Sequence, residues 1–311
     1  MSENIPRVKS LTKEVFQRDF LSQNKPVIIE GFADSWRAVS SWGPQFWSDN
    51  YGDKEMLCLA SKSHQYPDFS ELSMGEIPIP EPTSFKSYID RVTTLSQDEP
   101  SFLSLNRIIF SHGPRRPYNK HIDLAQYQND FETPDLIDKA RLELGLMWMQ
   151  AKGTQSWMHQ DQFENLYVQV QGQKRIIMAA PEDASNVYYN MHHPYYCEVD
   201  IFDIDYARFP LLKNAKLYEI VLNPGDMLFI PVFWFHAVES LGDFNLSLNW
   251  WFEPERVLLS QPSMHYFMEK VIKNVMADNK KDSKELYKLS LLIQDKILEQ
   301  TPCLLSSFYN S

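Results

Sequence analysis

The residues with the greatest chemical potential are His159, Gln160 and Asp161, together with His236 much further along the chain. On an extended strand, positions i and i+2 point to one face, so His159 and Asp161 can offer an imidazole and a carboxylate to a single ion. His236 follows the run Ile230-Pro231-Val232-Phe233-Trp234-Phe235 and can bring a second imidazole from a neighbouring strand. Two neutral histidines and one carboxylate leave three sites open on an octahedral Fe(II), the number needed for a bidentate co-substrate and dioxygen. An H-x-D triplet alone arises by chance, and ordinary core or surface groups explain it equally well. The elements around it must decide.

From about 144 to 252 the chain reads as short β-type runs punctuated by Gly, Pro and Asp, as in an all-β sandwich or barrel. Leu166, Val168 and Val170 alternate with Asn165, Tyr167 and Gln169, and Lys174-Arg175-Ile176-Ile177-Met178 follows a Gln171-Gly172-Gln173 turn, which predicts a hairpin. Asn223-Pro224-Gly225-Asp226 predicts another turn, feeding a strand from Met227, and a last strand runs from about Phe244 to Phe252. Upstream, a polar helical stretch around 10–22 precedes a short strand at 25–31, and Trp36, Trp42, Phe46 and Trp47 form a local core. Residues 64–100, with Pro67, Pro78, Pro80, Pro82 and Pro100, read as loop. After Pro254, apolar residues at three- and four-residue spacing (Met264, Phe267, Met268, Val271; then Leu286, Leu289, Ile293, Ile297) predict two amphipathic helices. Such a pair buries its stripes on the β-domain or on a second subunit.

Composition narrows the function. The 311 residues are 43% hydrophobic and 14% aromatic, enough for a large core and incompatible with disorder or coiled coil throughout. Only 10 residues are Gly, and no dinucleotide or P-loop fingerprint occurs. Thirty Lys and Arg against 41 Asp and Glu give a net charge of −11, which disfavours nucleic acid and anionic membranes. Residues 255–311 carry 8 basic against 7 acidic groups, so the tail stands at +1 and the rest at −12. Cys58, Cys197 and Cys303 include no C-x-x-C pair, so neither a disulfide framework nor a thiolate zinc site is expected. The first residues lack a signal-peptide pattern, and the longest apolar run, 227–235, is too short to span a bilayer. A soluble, cytoplasmic protein is expected, with the nucleus open to it if the source is eukaryotic.

Residues 144–252 resemble the Jumonji-C domain of Fe(II)- and 2-oxoglutarate-dependent oxygenases. The branch is that of the asparaginyl hydroxylase acting on hypoxia-inducible factor and of the tRNA wybutosine hydroxylase. The likeness is carried by His159-Gln160-Asp161, Asn165 to Gln169, Gly172-Gln173-Lys174-Arg175, Pro181-Glu182-Asp183, His192-His193-Pro194, Pro224-Gly225-Asp226, Ile230-Pro231 with Trp234 and His236, and Asn249 before Trp250-Trp251. With Pro26 to Gly31 it covers most of residues 20–255.

The resemblance implies a double-stranded β-helix (jelly-roll, cupin-like) core with an N-terminal α/β elaboration and a C-terminal helical pair. The oxygenase domain would span 1–254 and a helical dimerisation segment 255–311. His159, Asp161 and His236 would hold Fe(II), and Lys174 would pair with the distal carboxylate of 2-oxoglutarate. Asn165, Asn249 and Ser156 would lie along the co-substrate, while Trp251, Tyr195 and Tyr196 would line the substrate cleft. The implied activity is oxidative decarboxylation of 2-oxoglutarate to succinate and CO2, coupled to C–H hydroxylation. A protein side chain is the expected substrate. The alternatives are a tRNA base, for which the basic cluster Arg107, Arg115, Arg116 and Lys120 is small, and a non-catalytic cupin-like binding module. The loop at Tyr195-Tyr196-Cys197 is shorter than in the asparaginyl hydroxylase and lacks its Arg-Gln clamp, which leaves asparagine specificity without support. A homodimer through the C-terminal helices is expected.

Overall fold

A computed structural model of the chain describes residues 4–61, 65–66, 81–94, 102–109, 122, 124–189 and 197–254. The C-terminal helical segment, Tyr195, Tyr196, His192, His193, Cys303 and the basic residues 115, 116 and 120 lie outside the described residues.

The strands are β1 (Arg7–Val8), β2 (Val27–Ile29), β3 (Glu55–Ser61), β4 (Gln65–Tyr66), β5 (Glu81–Ser84), β6 (Phe102–Ile109), β7 (Leu142–Ala151) and β8 (Gln155–Ser156). They continue as β9 (His159–Gln160), β10 (Glu164–Gln171), β11 (Lys174–Ala179), β12 (Tyr218–Leu222), β13 (Met227–Ile230), β14 (Phe235–Ser240) and β15 (Phe244–Phe252). Nine form one sheet in the order β1-β2-β13-β10-β15-β7-β6-β3-β5; the second runs β12-β11-β14-β8-β4, with β9 also paired to β14. From β9 on the chain crosses repeatedly between them: β10, β13 and β15 lie in the first sheet and β9, β11, β12 and β14 in the second, as in a jelly roll. The hairpin expected here does not form: β10 pairs with β13 and β15, and β11 with β12 and β14, so the tight turn at Gly172, φ +70°, carries the chain from one sheet to the other. A Cβ at Gly172 would stand 2.4 Å from the Phe244 carbonyl oxygen, so the turn demands glycine for space as well as conformation.

Alternation along the strands separates two environments. Met147 and Met149 of β7, Leu166, Val168 and Val170 of β10, and Leu246, Leu248, Trp250 and Phe252 of β15 are buried in one cluster with Phe16, Trp36, Trp42 and Trp47. These are the outer face of the large sheet and the N-terminal elements covering it, including α1 (Lys13–Phe16), α2 (Arg37–Ser41) and α3 (Pro44–Tyr51). The tryptophan-rich stretch is thus local core, as expected. Its polar atoms are partnered: Trp42 Nε1 donates to Asp130 at 2.9 Å and Trp47 Nε1 to the Trp42 carbonyl at 3.0 Å. Ile177, Ala179, Phe235 and Ala237 form a second outer cluster with Met158, Val187 and Leu212. Between the sheets, Tyr167, Leu228 and Ile230 meet Ile176, Met178 and Leu222.

The reading of 64–100 as loop needs correction. Glu81–Ser84 pairs antiparallel with β3, and Phe85–Thr94 is a helix, α4, with Phe85, Tyr88, Ile89 and Val92 buried. Their i, i+3, i+4, i+7 spacing is an amphipathic signal that the nearby prolines overshadowed. Pro82, opposite Leu57, lies on β5, the edge strand of its sheet, the kind of position in a sheet that tolerates proline. No helix among the described residues is long and apolar enough to cross a membrane.

Candidate metal centre

β9 delivers His159, the loop after it Asp161, and β14 His236, with His159 directly opposite His236 in the β9–β14 pairing. One ligand atom from each of the three lies within 4.8 Å of the others. His236 Nε2 stands 3.6 Å from an Asp161 carboxylate oxygen, and the two imidazole centroids are 4.3 Å apart. In both histidines Nδ1 faces a backbone carbonyl two residues earlier: Trp157 at 2.7 Å for His159 and Trp234 at 3.0 Å for His236. A carbonyl can only accept, so Nδ1 carries the proton and Nε2 is the nitrogen with a lone pair in each ring. Burial, and secondarily the neighbouring His159, hold His236 down to about 4 despite the nearby Asp161 carboxylate, so it is neutral.

The approach to His236 is braced from the opposite sheet. Phe233, at φ +64°, makes the sharp turn after β13, and its amide donates to the Asp161 carbonyl at 2.9 Å. Val232 N–H donates to the Glu164 carboxylate, also at 2.9 Å. By strand parity Glu164 reads as a solvated or rim carboxylate rather than a ligand. The structure agrees that it is outside the triad but buries it, because it caps this turn.

Lys174 opens β11 and points between the sheets, 1% exposed. Its ammonium donates to Gln150 Oε1 on β7, and desolvation alone lowers it to about 7. Among the described residues no carboxylate neutralises it. Asn165 and Asn249 meet side chain to side chain, Asn249 Nδ2 donating to Asn165 Oδ1 at 3.1 Å, while Asn249 Oδ1 is buried without a partner. Ser156 accepts from Val238 N–H at 2.9 Å, which leaves its own hydroxyl hydrogen to donate. Trp251, two residues on from Asn249, stacks on Phe163 at 5.6 Å and 18°, with its indole N–H buried and unpartnered. The structure thus unites His159, Asp161 and His236, and joins Asn165 to Asn249. It also reveals Gln150, hidden in the sequence within the apolar run of β7, where only its polarity stood out.

These residues fit a divalent metal with an anionic co-substrate. The donor set is two neutral imidazole nitrogens and a carboxylate, and the same barrel holds a buried cation with only a neutral partner and an unpaired amide oxygen. A cleft of about 780 Å³ lies elsewhere, lined by Leu11, Phe32, Phe131 and Leu136 among others, and includes no triad residue.

A jelly roll that brings two histidines and one aspartate together defines a cupin-type fold with a candidate metal site. Residues 12–256 match the family described as the cupin-like domain, and the chain belongs to that family. It is 27% identical over 252 residues to tRNA wybutosine-synthesizing protein 5 of Danio rerio, covering 79% of this chain and 74% of that protein. Lysine-specific demethylase 8 of the same organism is 29% identical over 263 residues, 80% of this chain and 58% of its own. Jumonji C domain-containing protein 5 of Drosophila melanogaster is 38% identical over 270 residues, 80% of this chain and 60% of its own. The Jumonji-C resemblance in the sequence is borne out.

Proposed function

We propose that the protein is an Fe(II)- and 2-oxoglutarate-dependent hydroxylase acting on a protein side chain. The observation that carries this reading is the pairing of a His-Asp-His group, both of whose Nδ1 atoms are tied to backbone carbonyls, with an ammonium buried among neutral groups in the same barrel. Iron(II) with 2-oxoglutarate supplies oxidative decarboxylation coupled to C–H hydroxylation. The chain's own residues do the positioning. His159, Asp161 and His236 would hold the metal, and Lys174 would take the distal carboxylate. Asn165, Asn249 and Ser156 would orient the co-substrate through amide and hydroxyl groups. The Phe163–Trp251 stack would exclude water along the substrate path.

The −11 charge supports a polypeptide over a polyanion. A second reading, tRNA-base hydroxylation, draws support from the name of the Danio rerio relative. Wild type and His159→Ala are incubated with a proteome and, separately, a tRNA pool, and mass spectrometry follows a gain of one oxygen. Gain on a peptide with wild type alone is the expected result. Gain on tRNA alone, with binding that falls steeply with salt, reverses the substrate order. Neither gain nor consumption of 2-oxoglutarate turns the reading into a binding module. We further propose a cytoplasmic homodimer joined through residues 255–311; a monomer by light scattering at micromolar concentration refutes the dimer.

A further inference from the structure

Gln150 and Lys174 reach across the barrel from opposite sheets, and the Gln150 Oε1 atom receives the ammonium hydrogen bond. The same oxygen accepts from Ser240 Oγ at 3.3 Å. All three side chains are buried, at 8%, 1% and 1% exposure, so the cation is sealed from solvent. An amide oxygen can hold a buried ammonium in place but brings no countercharge, so the bond is weaker than one to a carboxylate. It also takes up one of the ammonium's three donor positions, for which an arriving anion would compete.

We propose that Gln150 is the specificity-determining residue of the co-substrate site, a neutral placeholder that competes with the incoming distal carboxylate for Lys174. The inference rests on the assignment of Lys174 to that carboxylate and deepens it. Gln150 keeps the ammonium oriented while the site is empty and gives way only to a ligand bearing a full negative charge at the far end. A 2-oxo acid without a second carboxylate gains nothing by displacing it. Selection of a dicarboxylate therefore comes from competition, and its cost is a weaker affinity for every dicarboxylate.

The test uses the full chain loaded with Mn(II) and titrated calorimetrically with 2-oxoglutarate and with pyruvate, which carries the chelating 2-oxo acid but no distal carboxylate. Gln150→Ala is expected to tighten 2-oxoglutarate about ten- to hundredfold, the range set by one charge-assisted hydrogen bond, and to leave pyruvate unchanged. Gln150→Glu keeps the side-chain length and places a permanent anion on Lys174. It is expected to abolish 2-oxoglutarate binding while Mn(II) and pyruvate affinities persist, and it serves if the alanine variant does not fold. Weaker or unchanged 2-oxoglutarate binding in Gln150→Ala overturns the proposal, as does full 2-oxoglutarate binding by Gln150→Glu. Lys174→Met separates the two readings. If it leaves 2-oxoglutarate affinity intact, the co-substrate assignment itself fails; if it destroys that affinity while Gln150→Ala fails to tighten, only the role of Gln150 fails.

Discussion

The two faces of the large sheet are made from the same strands and have opposite characters. On the outer face, Leu166, Val168, Leu246, Leu248 and Trp250 are wholly buried against the N-terminal elements in an apolar cluster. One residue out of phase, Asn165, Gln169, Asn245, Ser247 and Asn249 are equally buried, yet polar, and several of their side-chain atoms have no partner. Burying polar atoms unpaired costs free energy, so these positions are not arranged for stability. The difference teaches where each kind of selection acts: the outer face is apolar throughout, whereas the inner face joins the apolar group around Tyr167, Leu228 and Ile230 to buried polar atoms that packing alone does not satisfy.

The largest effect should come from the inner face and leave the fold alone. His159→Ala or Asp161→Ala removes a proposed ligand, and even loss of a group behind a ligand costs ten- to hundredfold in affinity, so metal binding should fall by more than about a hundredfold. Equilibrium metal titration alongside denaturant unfolding checks this. A variant that instead unfolds with its metal site would break the comparison, because the triad would then be structural.

Lys174 should be the costliest inner residue. Its ordinary value of 10.5 falls to about 7 on burial, so the folded protein binds the proton less well than the unfolded chain. The penalty is complete below about pH 7, amounts to about 5 kcal/mol, and disappears as pH rises toward 10.5. Lys174→Met should therefore stabilise the metal-free protein most at pH 6 and progressively less toward pH 10 in urea titrations. Dicarboxylate binding to wild type should weaken about tenfold per pH unit above 7, since it must then take up a proton.

Trp250→Ala on the outer face should lower stability by about 3–5 kcal/mol at every pH, with metal affinity unchanged in the folded fraction. Such a cavity would disturb packing around Trp36 and Phe131, the rings that Trp250 meets at 6.0 and 6.3 Å. Glu164→Ala should cost about 1–3 kcal/mol by leaving the buried Val232 amide unsatisfied, and should loosen the turn that aims His236. Thermal denaturation and metal titration together distinguish this variant, which moves both readouts, from Trp250→Ala, which moves one.

Much of this division was legible in the sequence. The alternation from Asn165 to Val170 gave both faces of β10, and His159, Asp161 and His236 offered a candidate metal-ligating set by type and order. Gln150 was not legible, because its side chain has meaning only once β7 is paired with β15 and set opposite β11, a contact between strands far apart in the chain. Helix α4 could have been found from Phe85, Tyr88, Ile89 and Val92, but flanking prolines dominated the local composition. The burial of Glu164 was not legible for a related reason. Its partner is a backbone amide of Val232 in another strand connection, which no local pattern announces.

The smallest expected effect lies one residue from the costliest. Arg175 follows Lys174 on β11, but points outward, where it meets Glu219 at 2.7 Å and Glu239 at 3.3 Å. Its hydrogen bond to Glu219 raises it above its ordinary value, so it is charged at all working pH. The pair with Glu219 is partly exposed, and such pairs contribute about 0–1 kcal/mol because solvent and salt screen them. Arg175→Ala should therefore shift the urea midpoint slightly, the more so at low salt, without altering the pH dependence or dicarboxylate affinity. Measured beside Lys174→Met, it isolates orientation from charge. If Arg175→Ala also weakened dicarboxylate binding, the field of the whole strand would be attracting the anion and the inward ammonium would have no special part. If only Lys174 responds, the two faces of one strand have been assigned to separate tasks by the direction of a single side chain.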